Sequence, residues 1–285
     1  MKSSRRGAMA LQVVLPSPFD VQPAPPMRTR HIRNERRLQR LLVAHGCCDS
    51  AAVLDEVAAQ LANESFAFLD NFSVTEALRQ ELDEALQDGM HGRVGGAESS
   101  GGSLSFIRGD TTRWALEAPH GSLPSLPPLL RRVDALVAQL SSRLPDLADI
   151  RWRSDTQLAA FAHDGARYIR HVDNTCARGA GKLCNGRRLT AILYLNPAWS
   201  DDLGGRLRLY RRREGAEVPE VDLAPTDGRL LLFYSDERSP HEVLPVAAGV
   251  RRRALTVWYL SASEVAGAAT HLRESMRLLP LELEN

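Results

Sequence analysis

The chain is expected to be an α+β protein with an antiparallel jelly-roll core, and three observations lead there. From residue 157 onward the apolar pattern breaks into eight short runs rich in β-branched and aromatic residues, at 157–162, 168–173, 188–196, 206–211, 221–223, 230–234, 242–246 and 254–260. Before residue 150, apolar residues recur at helical spacing instead. No internal repeat and no phosphate loop of the GxxxxGK[ST] type occurs anywhere. About eight short strands separated by turn signals suit a closed or double-sheet antiparallel fold, with the preceding helices covering one sheet.

The elements follow in order. Residues 1–30 are rich in Pro, Ser and Arg without a hydrophobic period and read as a disordered basic tail. Residues 31–150 form a helical support with a first strand and a mobile loop, and 151–285 the strand-rich core with a C-terminal helix. Leu38, Leu41 and Leu42, then Ala52, Val53, Val57 and Leu61, keep helical spacing, with Asp49 or Ser50 available as a cap. Residues 66–72 (FAFLDNF) read as a strand. Ser73 and Glu76 make a capping box for a helix whose Val74, Leu78, Leu82 and Leu86 share one face, with Gly89 as its stop. Glycine and serine dominate 92–103, a mobile loop. Pro127 and Pro128 start a helix with Leu130, Val133, Val137 and Leu140 as its buried stripe.

Composition narrows the function. Of 285 residues, 44% are hydrophobic and 25% charged, which excludes global disorder and a collagenous fibre. The 36 basic and 35 acidic residues leave a formal charge of +1 and no long-range field for a phosphate backbone, so nucleic acid is not an expected partner. No apolar run approaches the ~18 residues of a membrane span. Four cysteines without paired CxxC spacing exclude a disulfide scaffold and a structural zinc site, and Cys176 and Cys184 are read as free thiols in a reducing compartment. Nine Lys or Arg against two acids up to Arg40, with no apolar leader, suit a cytoplasmic or nuclear protein and leave a mitochondrial address open. A monomer is expected.

Among eight histidines, only His171 is followed two residues later by a carboxylate, Asp173, on a segment that reads as a strand. A period of two puts both on one face. Imidazole and carboxylate together suit a divalent metal, and His241, in a distant strand, is the candidate third ligand. Such a 2-His-1-carboxylate triad binds non-haem Fe(II) and keeps positions open for a bidentate 2-oxo acid and O2. HxD alone arises by chance at this histidine content, and the bland alternative is a hydrogen-bonded surface histidine. The added signal is a cation eleven residues after His241: Arg252 shares a strand face with Ala254, Thr256 and Trp258, where a guanidinium can fork onto a distal carboxylate. Register decides among Arg251, Arg252 and Arg253; alternation turns the outer two toward solvent.

The words IRGD (107–110) with Trp114, YIRHVDN (168–174), YLNPAW (194–199), GRLLLFYSDERSPHEV (228–243) and ALTVWYL (254–260) stand in an order that resembles prolyl 4-hydroxylases of the hypoxia-inducible-factor type, within the 2-oxoglutarate and Fe(II)-dependent dioxygenases. The likeness runs from about Phe66 to the end and implies a double-stranded β-helix core with helices on one sheet. By position it implies that His171, Asp173 and His241 hold iron and that Arg252 holds the distal carboxylate of 2-oxoglutarate, supported by Tyr194. It places Ile192, Leu207 and Thr256 around the co-substrate, though packing alone explains Ile192 and Leu207. Trp258, Asp110 and Arg187 fall near the substrate entrance, Asp110 and Arg187 as a pair ordering the loops. No catalytic group is implied beyond the metal centre. Fe(II), 2-oxoglutarate, O2 and ascorbate are the implied cofactors and co-substrates, and a proline-containing protein or peptide the substrate, with a role in oxygen sensing. The alternatives are an oxygenase for another protein residue or a small molecule, and a catalytically weak peptide-binding protein of the same fold. Two departures stand out: Phe161 replaces a tyrosine of the animal enzymes, and the segment 174–187 is longer than theirs.

Overall fold

The computed structural model describes residues 50–72, 74–87, 90–91, 108–174, 184–213, 216–268 and 277–281. The basic tail, the apolar residues through Leu42, the Gly/Ser loop at 92–103 and Cys176 lie outside the described residues. The helices are α1 (Ala51–Glu64), α2 (Glu76–Ala85), α3 (Leu126–Ser141) and α4 (Ala262–Gly267). None of the described helices is long and apolar enough to cross a membrane. The strands are β1 (Phe66–Leu69), β2 (Met90–His91), β3 (Thr111–Trp114), β4 (Ile150–Ser154), β5 (Gln157–Phe161), β6 (Tyr168–His171), β7 (Arg187–Tyr194), β8 (Leu207–Arg213), β9 (Ala216–Leu223), β10 (Leu230–Tyr234), β11 (His241–Val243), β12 (Arg252–Ser261) and β13 (Leu278–Pro280).

Two antiparallel sheets face each other. The larger runs β1-β10-β7-β12-β5-β3-β2, with β4 on β12 and β13 on β4; the smaller runs β6-β11-β8-β9. This is the expected jelly roll. Its main strands are buried on both faces, which is why they read as apolar runs without alternation. Leu189, Ala191 and Leu193 of β7, Leu230 and Leu232 of β10, and Leu255, Val257 and Tyr259 of β12 join the core under the helices. Their neighbours in chain order, Ile192, Tyr194, Leu231, Phe233 and Ala254, turn inward and meet Leu207, Leu209, Val221 and Leu223 from the smaller sheet.

Several local expectations shift. The N-cap of α2 is Thr75, whose side chain accepts from the Leu78 amide, not Ser73 two residues earlier. Both carry a hydroxyl three residues before a helical amide, so composition alone does not choose. Ser50 caps α1. On α3 the first turn buries Leu126 and Leu129, with Leu130 half-buried. The first strand ends at Leu69, because Asp70 turns to fork onto Arg229 and Asn71 adopts φ 66°. β4 escaped the apolar pattern because Arg151 and Arg153 interrupt it; Arg153 pairs with Asp134 of α3.

Leu232 is fully buried at the centre of the helix–sheet interface. Leu232→Ala should destabilise the fold by about 2–5 kcal/mol, read as a lower urea midpoint with an unchanged slope.

Candidate metal centre and co-substrate pocket

β6 and β11 are adjacent antiparallel strands of the smaller sheet, and their register sets His241 directly opposite His171. Asp173 follows just beyond the end of β6. One ligand atom from each of the three lies within 4.8 Å of the others, the one such group among the described residues. Asp173 Oδ1 is 3.6 Å from His171 Nε2 and 3.9 Å from His241 Nε2. His171 Nδ1 bonds the Ile169 carbonyl at 2.8 Å and His241 Nδ1 bonds the Ser239 carbonyl at 3.0 Å. A carbonyl only accepts, so each Nδ1 carries a proton and each Nε2 is the ring nitrogen that faces Asp173. Tyr168 stacks on the His171 ring at 3.8 Å and Phe233 meets His241 edge-on at 4.6 Å, holding both imidazoles in place.

Electrostatics prepare the same atoms. Burial, helped by His171 and opposed by Asp173, lowers the His241 pKa to about 4, so this imidazole is neutral at pH 7. Burial alone would raise the Asp173 carboxyl; His241, then His171 and Arg187, outweigh it and hold the group well below the usual carboxylate range. Two imidazole nitrogens and one carboxylate oxygen on one side are the donor set of a facial triad, and they fit Fe(II) with positions left open.

The adjoining pocket is built from inward positions. Arg252 begins β12, opposite Phe161 of β5, and its side chain is almost wholly buried. Its guanidinium lies 5.0 Å from the ring centroids of both Phe161 and Tyr194, and its Nε donates to the Gly205 carbonyl at 2.7 Å. Gly205 has φ 63°, and a Cβ there would stand 2.9 Å from Arg252 Cδ, so only glycine permits the approach. No carboxylate of the described residues pairs with Arg252, and the buried Tyr194 hydroxyl has no hydrogen-bond partner. A buried cation lacking an anion, beside an unpaired phenol, fits the distal carboxylate of a dicarboxylic 2-oxo acid. Ile192, Leu207 and Thr256 lie buried on the same interior side. Arg251 and Arg253 both reach Asp83 of α2, so Arg253 faces a helix where solvent was expected.

The entrance differs from expectation. Asp110 is not paired with Arg187: Arg108, two residues away, forks onto its carboxylate with two bonds of 2.6 Å. Arg187 instead lies 3.8 Å over the Trp258 ring, which also contacts Trp114 at 5.9 Å. The fork wins because Arg108 reaches both carboxylate oxygens from its own short segment, anchored by the Gly109 amide on the Arg167 carbonyl. Cys184 is disulfide-bonded rather than a free thiol, its partner outside the described residues. Composition suggested free thiols, but pairing depends on which sulfurs the fold brings together. Sequence reasoning also missed Thr190 and Ser235, which contact Asp173 directly and in series. Thr190 alternates with Ile192 and Tyr194 on the inner face of β7, a signal that period two contained.

The 2OG-Fe(II) oxygenase superfamily profile matches residues 156–260, from β5 through β12. Prolyl hydroxylase EGLN3 of Mus musculus is 36% identical over 221 residues, covering 74% of this chain and 85% of that protein. The chain belongs to the 2OG-Fe(II) oxygenases, among the EGLN-like prolyl hydroxylases. A Trichoplax adhaerens prolyl hydroxylase, solved with a hypoxia-inducible-factor degradation-domain peptide, superposes with a TM-score of 0.60 at 30% identity, covering 84% of this chain and 97% of that one. A Pseudomonas putida prolyl-4-hydroxylase gives a TM-score of 0.54 at 26% identity, covering 73% and 98%.

Because His241 has its pKa lowered from 6.5 to about 4, the unfolded chain binds a proton that the folded metal-free chain refuses between those values. Stability is therefore complete above pH 6.5 and falls as pH drops toward 4, and Asp173, held low, adds to the loss at the acid end. Urea midpoints of chelator-treated protein should decline across this window, and His241→Gln should flatten the upper part of the curve.

Proposed function

We propose that this oxygenase hydroxylates C4 of a proline in an intracellular protein, and that its iron is held by His171, Asp173 and His241. The observation that carries the co-substrate half of this reading is the buried Arg252, which has no acid in ion-pair contact among the described residues. When bound, Fe(II) with 2-oxoglutarate and O2 supplies the oxidation, giving succinate and CO2 beside the hydroxylated product. The protein's own residues bind, orient and exclude water. Arg252 and the Tyr194 hydroxyl take the distal carboxylate, while Ile192 and Leu207 line the chain of the co-substrate and keep that region dry. Thr256 adds a hydroxyl on the same strand face.

The substrate side rests on Trp258, Arg187, Arg108 and Asp110. Trp258 is buried between Arg187 and Trp114, and its indole N–H has no hydrogen-bond partner among the described residues. Arg187, half-buried near Asp173, has its pKa lowered by desolvation against the pull of the carboxylate. A cation stacked on an aromatic ring beside the metal suits a peptide carbonyl approaching with its proline. The relative solved with a degradation-domain peptide supports a peptide substrate. Ascorbate as reductant, a monomeric state, a cytoplasmic or nuclear location and a part in oxygen sensing belong to the same proposal.

The test is mass spectrometry of proline-containing peptides incubated with Fe(II), 2-oxoglutarate and ascorbate, with succinate measured in the same sample. One added oxygen on proline supports the reading; succinate without a modified peptide removes the supplied substrate, and neither product from iron-loaded protein removes the activity. Arg252→Ala should raise the apparent KM for 2-oxoglutarate about ten- to hundredfold, the worth of a charge-assisted hydrogen-bonded pair. An unchanged KM would release Arg252 from this role.

A further inference from the structure

Resting on the iron assignment above, we infer that Thr190 and Ser235 are positioning residues that hold Asp173 to one-oxygen coordination. The two carboxylate oxygens of Asp173 have different surroundings. Oδ1 faces His171 Nε2 and His241 Nε2, the side on which a metal would sit. Oδ2 accepts a hydrogen bond of 2.7 Å from Thr190 Oγ1. Thr190 Oγ1 lies 2.8 Å from Ser235 Oγ.

Proton direction in this chain is fixed by its far end. An ionised carboxylate only accepts, so the Thr190 hydroxyl spends its single proton on Asp173 and must accept from Ser235. The order is Ser235 to Thr190 to Asp173. Both hydroxyl residues are buried, Thr190 on the inner face of β7 and Ser235 directly after β10. Neither belongs to the three-residue donor set.

Backbone contacts hold the relay in register. The Asn174 amide donates to the Ser235 carbonyl at 2.8 Å, and the Ser235 amide donates to the Arg188 carbonyl at 3.1 Å. Asn185 Nδ2 donates to the Asp173 carbonyl at 2.8 Å. The loop carrying Asp173 is thus tied to β7 and to the end of β10, while its two histidine partners sit on the smaller sheet. Thr190 joins the two sheets beside the three ligand atoms.

The consequence concerns coordination number. A carboxylate free to rotate can offer both oxygens to a cation and fill a position that a 2-oxo acid or O2 needs. With Oδ2 turned to Thr190, Oδ1 is the oxygen presented on the histidine side, and a metal held there by one oxygen would keep three positions open.

The experiment compares wild type with Thr190→Val, Thr190→Ser, Ser235→Ala and the Thr190→Val/Ser235→Ala double variant, by Co(II) affinity and the visible spectrum of the Co(II)-loaded protein. Asp173→Ala is the reference for a lost ligand. Thr190→Val keeps the shape and removes the hydroxyl; it should weaken Co(II) binding about 10- to 100-fold and shift the ligand-field bands, as expected when the partner of a ligating group is removed. Thr190→Ser should restore both. Ser235→Ala should have a smaller effect, and none beyond Thr190→Val in the double variant, because Ser235 acts through Thr190. Wild-type affinity and spectrum in Thr190→Val, or a loss in Thr190→Ser equal to that in Thr190→Val, would overturn the inference, the second pointing to packing. Additive losses in the double variant would remove Ser235 from the relay. Equal Co(II) binding by wild type and Asp173→Ala would instead overturn the iron assignment itself.

Discussion

The register between β6 and β11 is the constraint on which the site depends. It sets His241 opposite His171, and a slip of one residue would turn one imidazole to the other face of the sheet. The two rings converge only because both strands belong to one antiparallel pair, while Asp173 arrives from the loop that leaves β6. Their Nδ1 atoms are committed to carbonyls two residues earlier in each chain segment, so strand geometry fixes ring orientation as well as position. The metal-binding face is built from main-chain hydrogen bonds before any metal contributes.

A second constraint lets chemistry and stability share the same strands. On β7, β10 and β12 one set of alternating residues packs under the helices and the other points between the sheets. Burial of the first set supplies the hydrophobic stabilisation that offsets placing Arg252, Thr190 and His241 in the interior. Each buried polar group then finds a partner or leaves a gap that describes a ligand. His241 has Ser239, Thr190 has Asp173, and Arg252 has only a carbonyl and two aromatic rings.

Much of this was legible in the sequence because period-two alternation and spacing carry it. The jelly-roll core, the pairing of His171 with His241 and the inward turn of Arg252 follow from which residues share a strand face, whereas Asp173, expected on the same strand as His171, lies in the loop beyond it. What escaped depends on pairings between distant segments. The choice of Thr75 over Ser73 as a cap, the fork of Arg108 on Asp110, the helix-facing side chain of Arg253 and the disulfide at Cys184 are decided by three-dimensional proximity. Thr190 lay between those limits: alternation placed it with Ile192 and Tyr194, but nothing local announced that Asp173 would reach it. β4 was hidden differently, by Arg151 and Arg153, the second of which pairs with an acid on α3.

The reassigned pairing at the entrance changes the electrostatics of the site. Had Arg187 been bound to Asp110, its charge would have been neutralised away from the metal ligands. With Arg108 on Asp110, Arg187 has no carboxylate in ion-pair contact among the described residues and rests on Trp258, close enough to Asp173 to help lower its pKa. The site therefore holds two cations in different settings: Arg252, buried, flanked by two rings and without an ion-pair partner among the described residues, and Arg187, half-buried, stacked at the mouth and coupled to the Asp173 carboxylate. In the proposed reaction a dicarboxylate would neutralise the first, while the second would stay free to orient a carbonyl dipole at the entrance, so that the two arginines would divide co-substrate from substrate by depth and by the kind of charge each can accept.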